Sequence, residues 1–281
     1  MKFEISAQLK YYTYSNGCII LNIKALKDSK QKVIKEFFTT STDIKIKDYK
    51  ELSSRNRLTN LKIVAGQDLE INYNALVDNN FELMDIKKVA DLNLSKISPE
   101  LLKYMHPSRY CQSDKLYRLA NNKFGKKTDN FEKVTALTQW IYKNVEYLSG
   151  STNSQTSAYD TVTEQAGVCR DFAHLGIALC RALTIPARYF TGYAYQLFPQ
   201  DFHACFEAYI NGKWLLFDAT RLVPLNGLVK IAHGRDAADA AVANIFGEVN
   251  FMFSSVNCQL AEDEFIPFIP DNLSRKAISY L

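Results

Sequence analysis

A cysteine where a helix begins, a histidine that opens a strand and an aspartate that ends the next strand form a set in this 281-residue chain whose types and order suit nucleophilic catalysis. Cys169 follows Ala166-Gly167-Val168 and precedes Arg170 to Leu183, where Phe172, Ile177, Leu179 and Leu183 recur among small residues as on a buried helix. A helix N-terminus offers partial positive charge and unpaired N–H groups, which favour thiolate over thiol. The Cys169 N–H is also placed to hold an oxyanion when that thiolate attacks a carbonyl. His203 follows the Pro199-Gln200-Asp201 turn and is the proton-transfer partner. The Asn211-Gly212 turn sets the next two strands antiparallel, so that Asp218 comes beside His203, accepts its ring N–H and fixes its tautomer.

Other chemistry-bearing residues read less specifically. His174 lies about 140° around the helix axis from Cys169 and is expected to be a buried, hydrogen-bonded helix residue. Cys180 falls mid-helix and Cys205 inside an apolar strand, the usual places of inert thiols. An oxyanion needs a second donor, for which Tyr147, ahead of a polar loop, is the choice, with Gln155 or Thr156 as alternatives. Asp171 suits either the helix dipole or the site. Asp236, ahead of an expected small-residue helix, reads as a first-turn cap or as part of a substrate groove.

These residues need a scaffold, and the chain changes character along its length to supply one. From Phe3 to about Val89 the period is two: Phe3, Ile5, Ala7, Leu9 and Tyr11 alternate with polar neighbours. Further strands are expected at Cys18 to Leu26, Val33 to Phe38, Thr42 to Ile46, Leu61 to Val64 and Leu69 to Tyr73, with turns at Asn16-Gly17 and Ala65-Gly66. This pattern predicts an N-terminal antiparallel β-sandwich over residues 1–95, a support or recognition module with no clustered catalytic set. A second, catalytic domain over 96–281 opens at Ser98-Pro99, a helix start. Helical spacing follows from Ser113, then a polar loop over 149–157, the Cys169 helix, and strands at Arg188 to Tyr195, Ala204 to Ile210 and Lys213 to Phe217.

Composition excludes several classes. A hydrophobic fraction of 47% with 23% charged residues is that of a folded globular chain. A net charge of +4, with lysines scattered instead of striped, gives no footprint for nucleic acid. No apolar run approaches the ~18 residues of a membrane span, and no h-region opens the chain, so a cytoplasmic protein with no membrane partner is expected. The six cysteines are widely spaced and expected to be reduced. There is no H-E-x-x-H or other clustered ligand set, so neither a metal nor a cofactor is expected. Oligomeric state is not encoded in any of these patterns.

The series Gly167-Val168-Cys169-Arg170-Asp171-Phe172-Ala173-His174, Ile185-Pro186-Ala187-Arg188-Tyr189, Asp201-Phe202-His203-Ala204, Phe206-Glu207-Ala208-Tyr209 and Trp214 to Thr220 resembles bacterial transglutaminase-like proteins. Pro107-Ser108-Arg109-Tyr110 and Gly234-Arg235-Asp236 match as well, and the first 95 residues resemble that family's N-terminal β domain. The resemblance implies an α+β fold with a papain-like core, helices packed on an antiparallel sheet, and assigns Cys169, His203 and Asp218 as its triad. Cys205 departs from the pattern, standing where such sequences often carry Trp. The implied activity is acyl transfer on a peptide or protein amide through a thioester, by hydrolysis or transamidation. A non-catalytic binding module on the same fold is the alternative reading.

Overall fold

Strand β1 (Lys2–Thr13) shows how the chain begins to fold: its residues alternate, with Phe3, Ile5, Ala7, Leu9, Tyr11 and Thr13 buried and their neighbours facing outward. Such a strand has one face to bury, each large apolar side chain contributing roughly 1.5–3 kcal/mol. In the computed structural model, which describes residues 1–87, 97–262, 264–270 and 274–280, it lies between two partners. They are β6 (Gln67–Asn79) and β15 (Val249–Leu260), both antiparallel, and β3 (Gln31–Thr40) completes a sheet of order β15-β1-β6-β3. A second sheet, β14-β2-β5-β4, joins β2 (Gly17–Leu21), β4 (Ile46–Lys50), β5 (Arg57–Ile63) and β14 (Ala243–Phe246). Its buried residues Ile19, Leu21, Leu61 and Ile63 share one apolar core with the inward row of β1.

Two strands of these sheets are thus contributed by residues 243–260, after the chain has passed through the helical region. Short β7 (Glu82–Asp85) likewise pairs with β16 (Lys276–Ser279). The expected division between residues 95 and 96 lies outside the described residues. The chain as a whole is mixed α and β, with more strand than helix.

Helix α1 (Pro99–Leu102) starts on Ser98 with proline at its first turn, as the sequence signals. Helices α2 (Ser113–Phe124) and α3 (Asn130–Asn144) follow, the latter capped by the Asp129 carboxylate accepting from the Glu132 N–H. After α4 (Ala158–Glu164), helix α5 (Cys169–Ala182) is buried from Asp171 to its end. It packs on a third antiparallel sheet, order β12-β11-β10-β13, made of β10 (Ala187–Ala194), β11 (Phe202–Ile210), β12 (Lys213–Phe217) and β13 (Leu228–Gly234). The approach is close: a Cβ on Gly176 would stand 2.5 Å from the Phe206 ring. Asn211 and Gly212 take the positive φ values, 52° and 80°, of a tight hairpin and fix the β11–β12 register through Phe206↔Phe217.

Strand β13 lies at the edge of this sheet, and amide side chains from the first 79 residues cover it. Asn79 Nδ2 donates to the Leu228 carbonyl (2.6 Å), and Gln31 both donates to the Lys230 carbonyl and accepts its N–H (2.8 and 2.7 Å). Asn56 does the same at His233 (2.9 and 3.1 Å). An exposed edge is a template for unwanted strand pairing; here its backbone groups are taken.

Candidate active site

Helix α5 starts at Cys169, with Val168 as its cap residue in extended conformation. The segment before it is fixed by a two-residue parallel ladder between β8 (Glu146–Tyr147) and β9 (Ala166–Gly167), which sets Tyr147 opposite Gly167. The Tyr147 hydroxyl consequently faces Cys169: burial raises its pKa first, the adjacent thiol raises it further, and the Cys169 backbone N–H acts the other way. Its ring lies 5.8 Å from that of Phe172, and 42% of the residue stays exposed. The polar loop ahead of α4 is tied down by Arg170, whose Nη2 donates to the Asn153 carbonyl (2.6 Å). Thr156, named as an alternative second donor, is buried and accepts the Asn153 N–H; Gln155 is exposed, with its own N–H on the Asn153 side chain.

His203 and Asp218 meet as the hairpin register requires. His203 Nε2 lies 2.9 Å from Asp218 Oδ2, with both residues buried. That leaves Nδ1, which has no hydrogen-bonding nitrogen or oxygen, as the ring atom available to Cys169. Burial opposes a charge on this imidazole, but the Asp218 carboxylate outweighs it, and Cys205 and Cys169 act in the same direction. His203 therefore holds its proton well above the ordinary histidine range. Thr220 fixes the carboxylate in turn: its N–H and hydroxyl reach Oδ1 (both 2.8 Å) and the hydroxyl also reaches Oδ2 (2.9 Å). Sequence alone gives no mark of this anchor, since Asp218-Ala219-Thr220 is a run that turns commonly use. Asp201 also stands near His203, its carboxyl raised by burial and accepting the Phe202 N–H (2.7 Å).

The pocket candidates divide. Asp171 is wholly buried, and its Oδ2 accepts the Val168 N–H (2.9 Å), closing the first turn of α5. It also packs so close to Gly167 that a Cβ there would meet its side chain at 2.8 Å. Asp236 is buried too and spent on backbone: Oδ2 accepts from Tyr110 N–H and Oδ1 from Ala238 N–H, both at 2.9 Å. The small-residue segment after it forms turns, not the expected helix, because Asp239 folds back to accept the N–H and guanidinium of Arg235. His174 is buried as expected, stacked on Tyr110 (4.9 Å) and accepting the Ala237 N–H on Nε2 (3.1 Å). Burial and two nearby arginines hold it neutral, so it is unsuited to proton transfer here.

Comparison with known proteins agrees with this architecture. Residues 1–100 match the model of the bacterial transglutaminase N-terminal domain, and residues 117–219 that of the transglutaminase-like superfamily core. The crystal structure of a candidate cysteine protease from Cytophaga hutchinsonii superposes with a TM-score of 0.98 at 51% identity, covering 100% of this chain and 98% of that one. Among curated sequences, ML0607 of Mycobacterium leprae is 27% identical over 146 residues, 49% of this chain and 52% of that protein. Rv2569c of Mycobacterium tuberculosis is 33% identical over 103 residues, 37% of this chain and 28% of that protein. The chain thus spans about half the length of the first of these relatives and less of the second. It belongs to the transglutaminase-like superfamily. Among the described residues, no helix is long and apolar enough to cross a membrane.

Proposed function

We propose that this protein is a cysteine-dependent acyl-transfer enzyme acting on peptide or protein amides, with Cys169 as nucleophile, His203 as acid and base, and Asp218 as its orienting partner. The observation that carries the reading is the imidazole itself. One ring nitrogen is held by Asp218 at 2.9 Å, while the other is left for the thiol that begins α5. The thiolate attacks the amide carbon, and the carbonyl oxygen takes the charge toward the Cys169 N–H and the Tyr147 hydroxyl. Collapse forms the thioester and expels the amine, which takes its proton from His203. Water or a second amine then attacks the thioester, losing a proton to His203, and Cys169 is released.

The Cytophaga relative, named as a candidate cysteine protease, supports the hydrolytic outcome; the family model is compatible with transfer to an amine. We read the two N-terminal sheets, which share one apolar core, as the layers of a sandwich that supports a papain-like catalytic core. The deciding experiment incubates the protein with a peptide library containing glutamine and free amines and reads products by mass spectrometry. Cleaved, deamidated or cross-linked peptides support acyl transfer and separate its outcomes. No product, together with a Cys169 that iodoacetamide labels no faster than an unfolded thiol, would overturn the proposal in favour of a binding module.

A further inference from the structure

Strand β11 places a second thiol beside the His203–Asp218 pair. Cys205 is two residues beyond His203 on that strand, and Asp218 leaves the partner strand β12 one step past the Phe206↔Phe217 pair. A ring nitrogen of His203, the Cys205 sulfur and a carboxylate oxygen of Asp218 all lie within 4.8 Å of one another. All three residues are buried, and no step of the proposed reaction uses the Cys205 thiol.

Thiolate, imidazole and carboxylate together are a donor set for a borderline-soft divalent cation, zinc above all, and poor for calcium or magnesium. Three protein ligands leave one position for water or another donor. Thr220 holds the carboxylate through three contacts, the outer-shell support that ligating carboxylates need. A small cavity of about 40 Å³, lined by Asp218, Phe217, Thr138 and Arg221, lies on the aspartate side of the cluster. We propose that His203, Cys205 and Asp218 form a binding site for a zinc-class cation whose occupancy switches the enzyme off.

The charge balance favours such a site. Binding one divalent ion displaces the Cys205 thiol proton and the His203 Nε2 proton, both to solvent, so the net charge of a buried cluster is unchanged. Inhibition follows because the ion takes the nitrogen through which Asp218 orients the imidazole, and His203 can no longer cycle a proton. This clause rests on the proposed reaction; the binding site does not.

The test uses Co²⁺ as the probe and the full chain carrying Cys169→Ala, which removes the other thiol facing His203. The expected result is stoichiometric uptake of one Co²⁺ with thiolate-to-cobalt charge-transfer absorption in the near ultraviolet. Adding Cys205→Ala should abolish that band and weaken binding by at least the roughly tenfold that loss of an outer-shell partner costs. If that double variant does not fold, as judged by circular dichroism, Cys205→Ser is measured in its place with the same expectation. Absence of the band in the Cys169→Ala protein, or its persistence without Cys205, overturns the site. In the protein with Cys169 intact, Zn²⁺ should inhibit turnover, and Cys205→Ser should raise the concentration needed by about tenfold or more. Equal inhibition of both would confine the metal to Cys169 and overturn the switch.

Discussion

Strand β11 carries two buried ionic clusters on one face, four residues apart, and they are built on opposite plans. At Glu207 the carboxylate is saturated: Arg188 Nε donates to Oε2 at 2.5 Å, and Lys230 Nζ lies 3.0 Å from both oxygens. The cations are covered in turn, Arg188 by the Trp214 ring at 4.2 Å and Lys230 by Phe190 at 5.1 Å. At His203 the carboxylate is equally well held, by Thr220, but the imidazole keeps one nitrogen uncommitted. A carboxylate closed by two cations makes a buried charge structural; an imidazole nitrogen left open beside a thiol makes it chemical. The contrast teaches more than burial or pKa alone, because both clusters are buried and both are shifted.

The comparison can be broken from either side. The largest expected effect is on the chemical side: Asp218→Asn should leave the fold intact but lower kcat by roughly 10³–10⁴, because the amide favours the wrong tautomer of His203. Steady-state kinetics together with circular dichroism check this. On the structural side, Glu207→Gln should cost about 3–5 kcal/mol in urea unfolding, since it leaves two buried cations uncompensated. Turnover per folded molecule should stay near that of the parent. A Glu207→Gln protein that is stable but inactive would erase the distinction. Tyr147→Phe is expected to be milder, about 10² in kcat with little change in KM, the loss of one oxyanion donor.

Acidity sharpens the same contrast with opposite signs. His203 has a folded pKa above its ordinary 6.5, so its contribution to stability is complete below that value and is lost as pH climbs through the raised one. Glu207 has a folded pKa below its ordinary 4.5, because Arg188 and Lys230 outweigh the burial that opposes ionisation. Its contribution is complete above that value and disappears as pH falls through the lower one. Urea midpoints across pH should show the gap between parent and Glu207→Gln closing in acid. The gap between parent and His203→Gln should close in base.

Much of the site was legible because its signals are local. Cys169 at a helix start and Asn211-Gly212 at a hairpin are local grammar, and together they place the thiol, the imidazole and the carboxylate. Less local features were harder. Strand β4, expected at Thr42 to Ile46, runs Ile46–Lys50 with every residue exposed, and a strand that buries nothing has no periodicity to read. Helix α4 is only seven residues long, though Ser157 and Asp160, which form its capping box, could have announced it. In β15 the alternation Val249, Phe251, Phe253 gives way to Val256, Cys258, Leu260 of opposite phase. The strand slips its register against β1 between Lys10 and Tyr11. The support of the Asp218 carboxylate by Thr220 depends on a turn whose residues look alike whether or not they hold a buried charge.

The return of the chain to its first sheet also fixes an order of events during synthesis. Phe3 is paired with Leu260 and Leu21 with Ala243, so the edges of both early sheets stay open while the intervening residues leave the ribosome. The long loop between these partners makes their pairing slow relative to the local helix and hairpin contacts of the core. The segment bearing Cys169, His203 and Asp218 is therefore complete before the last strand seals β1. A nascent chain stalled before residue 243 would hold all three of these residues and still display unpaired edges to any chaperone that reads them.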